Sequence, residues 1–339
     1  MHMADALTSP EVGGALWAAT AVVTAYSVKK VRQEGADDRV PLMGVLGAFV
    51  FAAQMINFTI PGTGSSGHLG GGLLLAALLG PAAGFLTMAA ILTIQALFFA
   101  DGGLLALGCN IFNLGFYTCF VTYPLIYQPL VRRKLTKGRI MVGSLLAAVC
   151  GLQLGSLSVV LETLFSGLSD LPFRTFFLLM QPIHLAIGLV EGLVTAAVLN
   201  FIFQARPELL ETGKPLAQHR ILRPVLTGFI VVALLVGGVL AWFASAQPDG
   251  LEWSLLQATG EEAVFNNSAV HRWFAALQER LAFLPDYNFK RKNTVPEQVS
   301  SNLVDLGTSA AGIAGVGLTL GMLLLTGFGL RRAAHRPRN

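Results

Sequence analysis

The stretch ALWAATAVVTAYSV, residues 15–28, is followed directly by the basic stretch KKVR, residues 29–32, and this pairing decides the fold class. A long apolar run that ends in lysine and arginine is typical of a membrane helix whose basic end stays in the cytoplasm. Residues 1–28 contain no lysine or arginine, whereas a cleavable signal peptide begins with a basic segment. We therefore expect the N-terminus to be retained and to lie on the outer side of the membrane.

The whole chain has the composition of a membrane protein. Of its 339 residues, 54% are hydrophobic and 12% are charged, while soluble domains are about 25% charged. The formal net charge is +4, but the basic residues flank apolar spans and form no continuous face, so no nucleic-acid partner is expected. Cys109, Cys119 and Cys150 lie in apolar stretches without metal-ligand spacing, so we expect small buried residues rather than disulfide partners. The predicted fold class is an all-α polytopic protein of the cell (inner) membrane, in contact with lipid.

The alternation of basic segments predicts nine spans. Four segments contain 17 of the 23 lysine and arginine residues, and all four face the cytoplasm if the N-terminus is outside and the C-terminus inside. Residues 1–205 then form a seven-helix bundle, 206–221 a cytoplasmic linker, and 222–330 a unit of two helices around an extracytoplasmic segment, 245–304. The predicted spans are 15–28, 41–60, 69–79, 85–100, 104–130, 141–165, 176–203, 226–244 and 306–330.

The first two residues, Met1 and His2, can chelate a metal ion. The Met1 α-amine, the deprotonated His2 amide nitrogen and the His2 ring nitrogen Nδ1 would close two fused rings and place three nitrogens in one plane. A fourth nitrogen would complete the square geometry that Ni(II) and Cu(II) favour. His68, in the glycine- and serine-rich loop 61–68, is the candidate, since the predicted topology puts it on the same outer face. Taken singly, each histidine is more often an incidental polar residue.

Several polar residues lie in or near predicted spans. Asn110 and Asn113 share one helix face, as do His184 and Glu191. Polar side chains at membrane depth usually face the helix bundle, where they serve either a function or hydrogen bonds between helices. Both interpretations stay open for these residues and for Gln54, Asn57 and Gln95.

Three motifs resemble one family. They are MHMADAL at residues 1–7, the run from Asn57-Phe58 to Gly67-His68-Leu69, and FADGGLLALGCNIFN at residues 99–113. Over roughly residues 1–205 they resemble the substrate-binding membrane component of nickel/cobalt energy-coupling-factor importers, the CbiM/NikM family. The resemblance implies a metal ion bound by the Met1 amine, the His2 amide and ring, and His68. It also implies that Asn110 and Asn113 pack beneath this site, while Met3 has no ligand role.

The second half resembles the small auxiliary component of the same importers. The resemblance rests on PDGLEW at residues 248–253 and LPDY at residues 284–287. The fusion favours nickel over cobalt as the transported ion, with cobalt import the alternative. We expect this unit to assist metal loading, or else to be a passive cover. Small residues in its last span, Ala311 with Gly315 and Gly317 with Gly321, predict close helix packing against the first bundle. Its candidate ligands have no convincing spacing and are expected to lie in a solvated helical segment; they are Glu252, Glu261, Glu262, His271 and Asp286.

Other functions find less support in the sequence. The glycine-rich run at residues 62–69 has His68 where a phosphate loop requires lysine, so a pair of ABC-type ATPases and a transmembrane coupling (T) component would have to be separate partners. No enzymatic activity and no resident cofactor are expected. An intramembrane metallohydrolase would need H-E-x-x-H, and His184 and Glu191 have the wrong order and spacing. A passive metal channel would need rings of carbonyls or acids along a pore.

Overall fold

The protein is described by a computed structural model that covers residues 2–34, 40–168, 171–210, 219–260, 266, 268–290 and 305–334. Helices dominate these residues, and a single two-stranded hairpin accompanies them. The first part of the chain contains α1 (Pro10–Gln33), α2 (Val40–Gln54), β1 (Phe58–Ile60), β2 (Ser65–Gly67), α3 (Gly72–Leu79), α4 (Pro81–Phe98), α5 (Leu107–Ile111), a π-helical segment (Phe112–Tyr127), α6 (Gln128–Arg132), α7 (Lys137–Ser166) and α8 (Phe173–Ala205). The second contains α9 (His219–Gly238), α10 (Gly250–Thr259), α11 (Ala269–Leu281) and α12 (Leu306–Ala334).

Four helices in the described residues are long and apolar enough to cross a membrane. They are Pro81–Phe98, Lys137–Ser166, Phe173–Ala205 and Leu306–Gly329, while Val40–Gln54 and Pro224–Gly238 are shorter apolar helices. A hydrocarbon core about 30 Å thick requires about 20 helical residues. The fold is therefore that of a multi-pass membrane protein.

Local sequence sets the ends of the first helices. Ser9 caps α1 by accepting a hydrogen bond at Oγ from the Val12 amide (3.3 Å), and Pro10 is the first helical residue. Gly80, at φ 82°, separates α3 from α4, and Pro81 begins α4. Ser9 and Pro10 already indicate this start of α1 in the sequence. Helix α4, however, begins four residues before the predicted span 85–100, because Pro81 is a favourable first helical residue.

The predicted span 41–60 is wrong at its C-terminal end. Helix α2 ends at Gln54, and Phe58–Ile60 pairs antiparallel with Ser65–Gly67. Ile60 precedes Pro61, whose ring disfavours helical backbone at the preceding residue. Gly62 and Gly64, at φ 79° and 78°, make the turn between the strands. The result is a short hairpin that leads directly into His68.

The predicted span 104–130 is helical but irregular. Its centre, Phe112–Tyr127, has the wider π-helical hydrogen-bond pattern. The Thr118 hydroxyl donates to the Leu114 carbonyl (2.6 Å) and competes with the α-helical ladder, and Pro124 has no amide hydrogen to offer it. An amphipathic pattern alone does not reveal these two interruptions.

Helix α12 packs against α2 and α9 through small residues. Gly312 meets Gly237 of α9, where an added Cβ would lie 2.0 Å from the Gly237 oxygen, and Gly315 faces the Phe51 ring of α2. The sequence suggested that Gly317 and Gly321 would also form such a contact. That expectation is wrong, because no described atom lies within 4 Å of a Cβ placed at either position.

Candidate metal centre

His2 and His68 lie side by side on one end of the bundle. Their ring centroids are 4.9 Å apart and their planes differ by 18°. His2 belongs to the N-terminal segment before α1, whereas His68 follows β2. Both Nε2 atoms are buried and have no hydrogen-bond partner among the described residues. Met1 lies outside the described residues. The structure therefore brings two of the three predicted metal-binding residues together.

Asn110 holds the N-terminal segment in place. Its Oδ1 accepts a hydrogen bond from the Met3 amide (2.8 Å), and its Nδ2 donates to the Met3 carbonyl (3.2 Å). The Gly103 amide also donates to that carbonyl (2.8 Å). The Met3 side chain is fully buried in an apolar cluster with Leu7 and Cys109. Because residue 3 is fixed at both backbone groups and at its side chain, the backbone of His2 has little freedom.

Asn113, predicted to lie beneath the same site, has a different partner. Its Nδ2 donates to Oε2 of Glu162 (2.8 Å), whose other oxygen accepts from the Ser158 hydroxyl (3.1 Å). Thus Asn110 contacts the N-terminal segment directly, and Asn113 joins the π-helical segment to α7.

Burial keeps both imidazoles neutral. Together with the smaller effect of the positive N-terminus, it lowers the pKa of His2 to about 3 and the pKa of His68 to about 4. A neutral imidazole is the form that binds a metal ion. His68 Nδ1 donates to the Leu69 carbonyl (3.1 Å), so its Nε2 carries the lone pair. His2 Nδ1 instead lies 3.3 Å from Oδ1 of Asp101. A chelate through this nitrogen would have to replace the Asp101 contact.

Polar residues on α2, α4 and α8 support the loop that contains His68. Glu191 accepts hydrogen bonds from the amides of Gly70 (2.8 Å) and Gly71 (3.0 Å). Gln54 donates to the Gly70 carbonyl (2.7 Å), and Gln95 donates to Oε1 of Gln54 (2.9 Å). For these residues the structure favours hydrogen bonds between elements. Sequence reasoning had left their role open.

The second part of the chain covers the site. The Ser66 amide donates to the Pro248 carbonyl (2.8 Å), and Ser66 forms a parallel bridge with Asp249. Tyr287 donates a hydrogen bond from its hydroxyl to Oδ2 of Asp101. Gln278 donates to the Gly102 carbonyl (2.7 Å). Asp101, Gln278 and Tyr287 were not predicted as site residues, because no local spacing connects positions so distant in sequence.

The expectation of a solvated helical segment is confirmed for Glu252 and Asp286, which are exposed, and is wrong for His271. His271 is 5% exposed, and its Nε2 lies 3.0 Å from the carbonyls of both Asp5 and Thr8. Glu252 completes a capping box with Asp249 at the start of α10. The Asp286 amide donates to the Phe99 carbonyl (2.8 Å). Glu261 and Glu262 lie outside the described residues.

An acidic cavity of about 690 Å³ lies between the two parts of the chain, beside the two histidines. No lysine or arginine is among its described lining residues, so its field favours cations. The described residues contain no group of three or more histidine, cysteine or acidic side chains placed to hold a metal ion. The carboxylates that line the cavity belong to Asp5, Asp101, Asp249, Glu252, Asp286 and Asp305.

Known proteins share both the sequence and the fold. A fused nickel transport protein of Rhodobacter capsulatus is 30% identical, over 96% of this chain and 99% of its own length. A putative metal transport protein of Haloquadratum walsbyi is 38% identical over 62% of this chain and 94% of its own length. The crystal structure of a truncated transition metal transporter has a TM-score of 0.54 and 30% identity, and the match covers 60% of this chain and 99% of that one.

Two family models match, and together they confirm the resemblance that the motifs indicated. One, described as CbiM, the cobalt uptake substrate-specific transmembrane region, matches residues 2–209. The other, the PDGLE domain, matches residues 223–332. The chain therefore belongs to the CbiM family of transition-metal uptake proteins, with a PDGLE domain fused behind the CbiM region.

Proposed function

We propose that this protein is the substrate-specificity component of an ATP-driven energy-coupling-factor importer that captures Ni(II). The observation that carries the proposal is the stacked pair of neutral imidazoles, with His2 on the N-terminal segment that Asn110 fixes and His68 directly after β2. The similarity to a fused nickel transport protein over nearly the whole chain supports nickel. Co(II) is the alternative cargo, since the CbiM family model is described by cobalt uptake.

The proposed ligands are the Met1 amine, the His2 amide nitrogen and Nδ1, and the His68 ring. This set supplies four nitrogens, which suits planar Ni(II). Binding exchanges the contact between His2 Nδ1 and Asp101 for a bond to the ion. Asn110 supports the site through Met3, whereas Asn113 bonds to Glu162 and joins the π-helical segment to α7.

The orientation we propose has the N-terminus outside and the C-terminus in the cytoplasm, which the distribution of basic residues supports. Residues 1–205 form the metal-binding component, 206–221 the linker, and 222–330 the auxiliary unit that covers the site. A separate coupling component and a pair of ATPases would drive transport, since no phosphate loop is present in the sequence. The protein itself is then a transport subunit and no enzyme.

The site is tested by measuring nickel in purified variants. One residue added before Met1, His2→Ala and His68→Ala should each abolish stoichiometric Ni(II) binding, because each removes at least one nitrogen of the chelate. Met3→Leu is the matched control, since it removes the nearby thioether but conserves volume in the apolar cluster. Stoichiometric nickel in the N-terminally extended protein would rule out the site. Competition between nickel and cobalt in uptake by cells then identifies the cargo.

A further inference from the structure

His184 presents an unused ring nitrogen inside the bundle. It lies on α8 and is fully buried. Its Nδ1 lies 2.8 Å from the Met180 carbonyl, which can only accept, so Nδ1 carries the proton and donates. The other nitrogen, Nε2, therefore has a lone pair. It has no hydrogen-bond partner among the described residues.

His68 is held in the same tautomer. Its Nδ1 donates to the Leu69 carbonyl (3.1 Å), and its buried Nε2 also has no partner in the described part of the chain. Two imidazoles from different elements thus both present a bare acceptor nitrogen. A buried acceptor without a donor is unfavourable, so each nitrogen requires a proton donor or a Lewis acid.

Both rings line one small cavity of about 10 Å³, which is room for roughly one water molecule or one bare ion. Leu114, Leu152 and Ile187 contribute apolar walls, and Asp249 brings a carboxylate to the same cavity. The second part of the chain closes the cavity on one side. A Cβ added at Gly250 would lie 3.4 Å from Cε1 of His184, the ring atom bonded to Nε2.

We propose that His68 and His184 form a second nitrogen-donor position for a divalent transition-metal ion, which shares His68 with the N-terminal chelate but needs neither Met1 nor His2. Imidazole nitrogen suits Co(II), Ni(II) and Zn(II), and Asp249 supplies negative charge at the same cavity. His68 belongs to both positions, so an ion can pass between them by exchanging His2 for His184. This transfer and the identity of the cargo rest on the proposed function, whereas the second position itself does not.

The test uses full-length protein from which the chelate has been removed, either by His2→Ala or by one residue added before Met1. The probe is Co(II) alone, because its visible absorption reports nitrogen ligation in a four- or five-coordinate site. We expect one Co(II) per protein, bound more weakly than by the unmodified protein. Adding His184→Gln should weaken this binding by about tenfold or more, since losing even a residue that supports a ligand costs 10–100-fold. His271→Gln is the control, because it alters a buried histidine outside the cavity and keeps a donor for the carbonyls of Asp5 and Thr8.

Elution volume on size exclusion and helical circular dichroism establish that each variant is folded. Absence of Co(II) binding in both folded chelate-free proteins would overturn the second position. So would Co(II) binding that is unchanged by His184→Gln. Tight stoichiometric Ni(II) binding that survives both the N-terminal extension and His184→Gln would count against the proposed chelate instead, so the two failures are distinguishable.

Discussion

Asn110 is the residue whose amide most directly fixes the proposed ligands. Its side-chain amide hydrogen-bonds to both the amide and the carbonyl of Met3, as the backbone of a neighbouring β-strand does. Asn110→Ala removes both hydrogen bonds, so we expect Ni(II) affinity to fall by about 10–100-fold, the usual effect of losing a residue that positions a ligand. Titration of purified protein with Ni(II) measures this.

The control for that experiment is Asn113→Ala, three residues further along the chain. Asn113 donates a hydrogen bond to Glu162, and no hydrogen bond joins its side chain to the described residues of the N-terminal segment. We expect its loss to lower thermal stability while Ni(II) affinity changes by less than about threefold. Equal effects of the two substitutions on affinity would contradict the role assigned to Asn110.

The pH dependence of binding follows from which groups must lose protons. Burial lowers the pKa of His2 to about 3 and that of His68 to about 4, so both rings are already neutral above about pH 5. The remaining protons are those of the Met1 amine, whose ordinary pKa is about 8, and the His2 amide. Ni(II) affinity should therefore fall by about 10–100-fold for each unit between pH 8 and pH 6. A binding constant that changes only between pH 7 and pH 6, as an ordinary histidine titrates, would contradict this.

At the residue scale, the sequence could predict that His2 and His68 share one face, because the alternation of charged segments fixes the side of each loop. It could not predict Asp101, His271 or Tyr287 as neighbours of this site. Asp5 and His271 are 266 residues apart in the sequence, and the periodicity of apolar residues does not predict contacts between residues so far apart in the chain. The tautomers of His68 and His184 also depend on carbonyls whose positions only the fold defines.

At the scale of the elements, α12 offers a test of close helix packing. Gly312→Ala would place a Cβ 2.0 Å from the Gly237 oxygen, so α9 and α12 must separate, at a cost of about 1–3 kcal/mol. In Gly317→Ala the added Cβ has no described atom within 4 Å. This substitution should stabilise the helix by about 0.5–1 kcal/mol, because alanine loses less conformational entropy than glycine in a helix. Thermal unfolding in one detergent compares the two variants. An equal change in unfolding temperature in both variants would show that close packing at residue 312 does not limit the stability of the protein.

The elements differ in how far the sequence determined them. Ser9 and Pro10 predict the start of α1, and Gly80 with Pro81 predicts the break between α3 and α4, because these residues act on the local backbone. The hairpin after α2 escaped prediction because Phe58–Ile60 is as apolar as the helix before it. The small residues of α12 were recognised, but which of them face a neighbour depends on the rotation of the packed helix.

At the scale of the whole molecule, the proposed orientation predicts which loops an impermeant reagent can reach. The three native cysteines are first replaced; two of them are buried. Ala246→Cys, in the outer segment, should then react with an impermeant maleimide in intact cells. Leu135→Cys, between α6 and α7, should react only after lysis, because the adjacent basic residues hold that loop in the cytoplasm. Labelling of residue 135 in intact cells would contradict the proposed orientation and favour the opposite one.

The contact between His271 and the backbone of residues 5 and 8 joins the beginning of the chain to one of its last helices. A ribosome adds about 5–20 residues per second, so α11 emerges roughly 13–53 s after the N-terminal segment. Throughout that interval the first residues made are without the helix that later covers them. An ion present during synthesis therefore meets an open N-terminus, whereas an ion that arrives afterwards must enter past a finished cover. At the proposed site, nickel supplied during translation would meet His2 before α11 covers it, whereas nickel supplied to the completed protein would have to pass that helix.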